Sequence, residues 1–168
     1  MDFDFTEEQT MLREMAAKFV TQEVKPLAQR IDKEHNVDLI RDILQKGAAL
    51  GLLGIPFPPE YGGAGMGEIG YCILLEELSR GCASTAVTVG AHVGLAGMSI
   101  FLGGTEAQKQ AFLAPLARGE KLGAYALTEP AAGSDAANIQ LSAIPDGDGY
   151  CSTARSSGLP MATLPMSL

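Results

Sequence analysis

Tryptophan is absent from the 168-residue chain, cysteine occurs three times, histidine twice, and aromatic residues make up only 6%. Cys72, Cys82 and Cys151 are odd in number and show neither C-x-x-C nor any other metal-ligand spacing. The sequence therefore encodes no disulfide framework and no zinc site, and a reducing, cytoplasmic location is expected. Positive charge is also scarce: twelve Lys+Arg stand against twenty Asp+Glu, a net charge of -8. Such a field repels nucleic acid and anionic lipid headgroups, so no polyanionic partner is expected. The stretch Met1 to Phe5 lacks the basic and apolar regions of a secretory signal. Between Arg80 and Glu106 charge of either sign disappears altogether. That run is long enough to span a bilayer, but Gly90, Gly94 and Gly97 with Ser84, Thr85, Thr88, His92 and Ser99 dilute it. It reads as a buried helix with close glycine approach and not as a membrane insertion.

Hydrophobic residues reach 46% and charged residues 19%, which excludes disordered and collagen-like classes. The length suits one domain with a sizeable core, or one domain and part of a second. Helix signals come in series. Thr6-Glu7-Glu8-Gln9 has the form of a capping box, with acids where the helix terminus is positive. Leu12, Met15, Ala16, Phe19, Val20, Leu27 and Ile31 then recur at helical spacing, predicting one core-facing stripe. Pro26 inside that pattern predicts a bend or restart near Lys25. A second helix is predicted over Val37 to Leu50, stopped by Gly51, and further helices over Glu68 to Ser79 and Cys82 to Leu102. The intervening stretch from Ile55 to Gly65 is too rich in Pro and Gly for a regular element. Thr105-Glu106-Ala107-Gln108 repeats the capping-box form and opens a fifth helix ending near Arg118-Gly119. Beyond Gly119 the pattern changes: Leu122 to Leu127 and Ile139 to Ile144 read as strands, and Asp146-Gly147-Asp148-Gly149 as a turn. The expected class is α+β, an all-helical N-terminal domain followed by the first strands of an incomplete β domain.

Against that background stands Tyr125-Ala126-Leu127-Thr128-Glu129-Pro130-Ala131-Ala132-Gly133-Ser134-Asp135. This segment resembles the flavin-contacting motif of the acyl-CoA dehydrogenase family, aromatic-x-x-Thr-Glu-Pro-x-x-Gly-Ser-Asp. Pro59-Glu60-Tyr61-Gly62-Gly63-Ala64-Gly65, Glu76-Glu77-Leu78-Ser79-Arg80 and Gly119-Glu120-Lys121 match the family in the same order and spacing. The resemblance covers residues 1 to about 150. It implies an N-terminal helical domain over 1–120 and the start of a middle β domain over 121–150. It further implies an FAD-dependent oxidoreductase that converts an acyl-CoA to its 2-enoyl form, passes electrons to an electron-transfer flavoprotein and assembles as a homotetramer. An acyl-CoA oxidase fragment and a non-catalytic helical interaction module remain as alternatives.

A flavin that accepts hydride gathers negative charge on its pyrimidine edge, where preset backbone N-H donors stabilise it. The resemblance assigns cofactor contacts to Tyr125, Leu127, Thr128, Gly133 and Ser134, with Gly133 permitting a tight turn and Ser134 also reaching the acyl-CoA substrate. Glu129 belongs to the same segment in the family and is not its base. The family's usual catalytic Glu lies in a C-terminal domain and has no counterpart here, so no catalytic residue is assigned.

From Cys151 onward the sequence departs from the family. Residues 151–168 hold no Asp or Glu, one basic residue (Arg155), four serines and two prolines. A linker or disordered tail is one reading. The other is a frameshift: restoring one lost base after codon 150 allows V-F-N-G-T-K-L-W-I-T-N-G-D-V-A-D-V-F, which contains the family's next strand. On either reading the tail is expected to be poorly ordered, and the chain to hold FAD weakly and turn over little or not at all. Three other features are expected to be structural. Gly65-Met66-Gly67-Glu68-Ile69-Gly70 matches G-x-G-x-x-G but follows a Pro-rich turn, not a strand. His92, with no ligand-type neighbour at metal spacing, reads as a satisfied core residue, and His35 as a solvent-facing residue near a helix end.

Overall fold

A computed structural model describes residues 4–147 and 149–152. The first helix, α1 (Glu7–Phe19), starts where the capping box places it: the Thr6 hydroxyl accepts from the Gln9 N-H, and the Gln9 side chain accepts from the Thr6 N-H at 3.0 Å. Leu12, Ala16, Phe19 and Val20 are buried, whereas Met15 is 37% exposed. The predicted stripe is one residue too wide, because α1 meets α4 along a narrow ridge and Met15 falls on its flank. The chain widens to a π-type turn over Val20–Val24 and tightens over Lys25–Leu27, with Pro26 in that turn. It restarts as α2 (Ala28–Glu34), ending at exposed His35 with φ 47°. Next comes α3 (Val37–Ala49), capped by Asn36 and followed by Gly51 at φ 73°, the expected left-handed stop. The fourth helix is α4 (Gly67–Gly81), which packs on α1 and on α5 (Ala83–Gly103). The Gly-rich match at 65–70 is thus a loop running straight into α4, with no strand before it.

The Pro- and Gly-rich stretch between α3 and α4 carries two short 3-10 turns, Leu52–Gly54 and Pro59–Tyr61. Its backbone is satisfied internally: Ala64 N-H donates to Gly54 C=O at 3.1 Å, Gly65 to Phe57 at 2.8 Å and Met66 to Ile55 at 3.0 Å. A Cβ at Gly63 would run into the Phe57 carbonyl, so only glycine fits that crossing. Phe57 (1% exposed) and Tyr61 plug the loop onto the end of α5, with ring centroids 5.8 Å and 6.2 Å from Phe101. The Tyr61 hydroxyl donates to Glu106 at 2.8 Å, and Lys109 sits 5.2 Å from the Phe101 ring centre. The loop is therefore a rigid part of the core.

By length and composition α5 could cross a membrane. In this fold one side of it packs into the protein, burying Thr85, Ala86, Val89, His92, Val93 and Ala96, while Val87 (62%), Leu95 (45%) and Leu102 (76%) face outward. A second capping box at Thr105 opens α6 (106–117), which closes against α5. His92, 1% exposed, ties these two helices to the segment beyond α6. Its Nε2 lies 3.1 Å from the Leu116 C=O, and its Nδ1 accepts from the Gly123 N-H at 2.9 Å. These partners fix the neutral Nε2-H tautomer. Burial holds its pKa below the ordinary 6.5.

After α6 the expected strand at Leu122 to Leu127 is extended backbone with no ladder partner among the described residues. Extended φ/ψ alone makes no strand; a neighbouring chain must supply the hydrogen bonds. The second strand is shorter and later than predicted: Ile139 is the end of a 3-10 turn, and β1 (Ala143–Asp146) pairs antiparallel with β2 (Gly149–Ser152). The Asp146 to Gly149 turn stands where the sequence placed it. The expectations for the tail fall, beyond Ser152, outside the described residues.

Two buried polar groups have measurable consequences. The Thr85 hydroxyl is fully buried without a partner among the described residues, beside a small cavity lined by Phe19, Ile43, Leu78 and Val89. Thr85→Val removes the unsatisfied group at constant shape and is expected to raise stability by about 1 kcal/mol, or roughly 2–4 °C in a thermal melt; a lower midpoint counts against the assignment. His92 titrates with a depressed native pKa, so the unfolded chain binds more protons below 6.5. Its contribution to stability is complete above pH 6.5 and falls as pH drops toward the native value. Chemical unfolding from about pH 7 to about pH 5 should show this loss in wild type and not in His92→Asn, which has no titrating ring.

Candidate functional site

The conspicuous exposed segment leaves α6 at Gly119 and runs through residues 122–134. Leu122 packs against Ala91, and Gly123 sits so close to α5 that an added Cβ would stand 2.6 Å from the Ala96 Cβ. From there the backbone is extended to Thr128, with Leu127 37% exposed and Thr128 exposed. At Glu129 it reverses. The Glu129 N-H donates to Ala132 C=O at 2.9 Å, and the Ala132 N-H returns the bond at 3.2 Å, with Pro130 presetting φ inside the turn. The reversal ends at Ala132, and the chain bends again at Gly133 and Ser134.

Gly133 differs from the sequence expectation. The turn belongs to Glu129–Ala132; Gly133 keeps a φ outside the left-handed region, and a Cβ there meets nothing within 4 Å. Local backbone geometry does not demand glycine at that position, so any such demand comes from a group that approaches it from outside. Glu129 has a role that sequence reasoning missed. Its carboxylate accepts from the Gln140 N-H at 2.9 Å and the Leu141 N-H at 3.0 Å, bracketing the chain beyond the motif to the motif itself. No local pattern announces that pair, since the donors are backbone groups eleven and twelve residues away.

Tyr125 is half-buried and stands apart from Gly133 and Ser134. It lines a cavity of about 530 Å³ between α3, α5, α6 and the segment 119–125, together with Arg41, Leu44, Ile100, Phe112 and Leu122. That volume is within the range of small-molecule sites. Arg41 on its rim is paired with Asp38 at 3.0 Å. The described residues offer no cluster of three or more His, Cys, Asp or Glu able to hold a metal ion.

Fit to a flavin can be judged from the donors. The Leu127 N-H meets no acceptor among the described residues, Leu127 is 37% exposed, and a Cβ at Gly133 would meet nothing within 4 Å. An unpaired, solvent-facing backbone donor is what the carbonyl-bearing edge of a flavin ring requires. Tyr125, Leu127, Thr128, Gly133 and Ser134 are compatible with that group.

Comparison with known proteins bears on the whole body that carries this segment. The family described as "Acyl-CoA dehydrogenase, N-terminal domain" matches residues 6–120. The short-chain specific acyl-CoA dehydrogenase of Clostridium acetobutylicum is 46% identical over 150 residues, 89% of this chain and 39% of that protein. A chain in a structure of the electron transferring flavoprotein of Acidaminococcus fermentans superposes with a TM-score of 0.91 at 40% identity, covering 98% of this chain and 43% of the other. An acyl-CoA dehydrogenase from Bacillus anthracis solved with FAD gives 0.85 at 37% identity, over 93% of this chain and 27% of that one. The chain thus spans well under half the length of each. With that family model matching more than half of its length, the chain belongs to the acyl-CoA dehydrogenase family and carries its N-terminal helical domain.

Proposed function

We propose that this chain supplies the helical body and one cofactor-facing segment of an FAD-dependent enzyme that dehydrogenates an acyl-CoA between its α and β carbons. The observation that carries the reading is the segment from Tyr125 to Ser134, in which Leu127 and Thr128 are exposed, the Leu127 N-H meets no acceptor among the described residues, and the space over Gly133 is open. FAD, when bound, accepts the hydrogen removed from the β carbon.

The residues here bind and orient. Leu127 presents a backbone donor to the ring's polar edge, Thr128 and Tyr125 stand beside it in the chain, and Ser134 offers a hydroxyl to the cofactor or the acyl-CoA. Glu129 is engaged as an acceptor of two backbone bonds, which disqualifies it as a proton acceptor for substrate. Among the described residues none of the other carboxylates joins this segment as a base, so the 168-residue chain on its own binds FAD weakly and does not complete the reaction. Electron transfer to an electron-transfer flavoprotein and a tetrameric assembly belong to the same proposal. The likeness to the Acidaminococcus flavoprotein structure supports the electron-transfer part, and the tetramer rests on the family resemblance alone.

Flavin fluorescence tests this directly. Titrating the full chain into FAD should give saturable quenching with a weak dissociation constant, and adding acyl-CoA should not bleach the flavin. Leu127→Pro deletes one donor from an exposed position and should weaken binding by about fivefold, the worth of one hydrogen bond to a neutral carbonyl, with unchanged helical circular dichroism. Gly133→Ala, which disturbs nothing inside the protein, should weaken it as well. No saturable quenching sinks the cofactor reading, and acyl-CoA-driven bleaching sinks the predicted inactivity.

A further inference from the structure

Among the described residues, Gly123 N-H is the one backbone group of 122–127 that hydrogen-bonds to the helical body, and its acceptor is the buried Nδ1 of His92 at 2.9 Å. The opposite nitrogen of the same ring is tied to Leu116, at the end of α6, at 3.1 Å. One imidazole therefore connects the middle of α5, the last turn of α6 and the root of the exposed motif. Leu122 adds apolar packing against Ala91, but burial is non-directional and does not by itself choose a register. In extended backbone a slip of one residue exchanges the two faces, which would turn the Leu127 donor from one side of the segment to the other. The hydrogen bond does select a register, and only glycine at 123 lets the backbone come this near to Ala96.

We propose that His92 is a positioning residue, whose two ring nitrogens fix the register and direction of 122–127 and so aim the donors and Tyr125 at the cofactor and the cavity. The aim at a flavin rests on the function proposed above; the hold on 122–127 does not. The ring acts in its Nε2-H form. A side chain that keeps an acceptor where Nδ1 stands preserves the hold, and one that merely fills the space does not. Asn places its amide oxygen near the Nδ1 position, Gln extends its amide to the Nε2 position, and Leu supplies bulk alone.

The test uses the full 168-residue chain. Long-range proton–nitrogen spectra of the wild type should show Nδ1 without a proton and Nε2 with one; the reverse tautomer overturns the proposal without any variant. Amide exchange is then compared in wild type, His92→Asn, His92→Gln and His92→Leu, with circular dichroism confirming helix content. Exchange at the Gly123 amide should be about tenfold faster or more in the Leu and Gln variants and be largely rescued in Asn, while α1 and α4 stay within about twofold of wild type. FAD affinity should fall in the same order. Unchanged exchange at Gly123 in His92→Leu overturns the proposal, as does an equal loss of protection along the chain in all variants, which marks a residue that only fills the core. If the Leu variant does not fold, the Asn and Gln pair decides the matter, and equal exchange at Gly123 in the two overturns it. Should wild type bind no FAD while the exchange pattern holds, the hold is established and the flavin reading falls.

Discussion

A helix of twenty-one residues with no charge on it needs cover along at least one side, and the architecture supplies that cover. On one flank α4 covers α5, and α1 in turn covers α4; on another α6 closes against it, and the proline-rich loop is plugged onto its end through Phe57, Tyr61 and Phe101. The apolar burial is large and non-directional. Uniqueness comes from a few directional contacts laid over it: the Tyr61–Glu106 bond, the two capping boxes and the two bonds of His92. Burying an imidazole is tolerable only because both nitrogens are satisfied and the ring stays neutral.

The helical part is legible in the sequence because its signals are local. A threonine three residues before a glutamine, a proline inside a periodic stripe and a glycine after the last apolar position each act within one or two turns, and Thr6, Pro26, Gly51 and Thr105 all stand where such reasoning puts them. Met15 departs from its expected burial because periodicity gives the centre of a stripe and not its width, which the neighbour α4 decides. The first expected strand fails for a different reason. A ladder is a property of two segments, and nothing within Leu122 to Leu127 says whether another strand will lie alongside it.

The candidate site divides in the same way. Its residue types and order are readable as a resemblance, while its mechanical support is not. Glu129 clasps backbone groups at 140 and 141, and His92 holds a glycine thirty-one positions further on. Single-residue chemistry suggests a satisfied core histidine and a strand-bound glutamate; which partners satisfy them emerges only from the tertiary arrangement. Gly133 shows the converse. Its presence suggests a tight turn, yet the turn sits one step earlier, and the glycine is idle within the chain's own geometry.

The small hairpin at residues 143–152 contributes its hydrogen bonds to itself alone, and every residue of its first strand faces solvent. Two isolated strands of this kind have little stability of their own. Among the described residues the cooperative unit is consequently the helical body, and the hairpin adds little to the enthalpy that a calorimeter records.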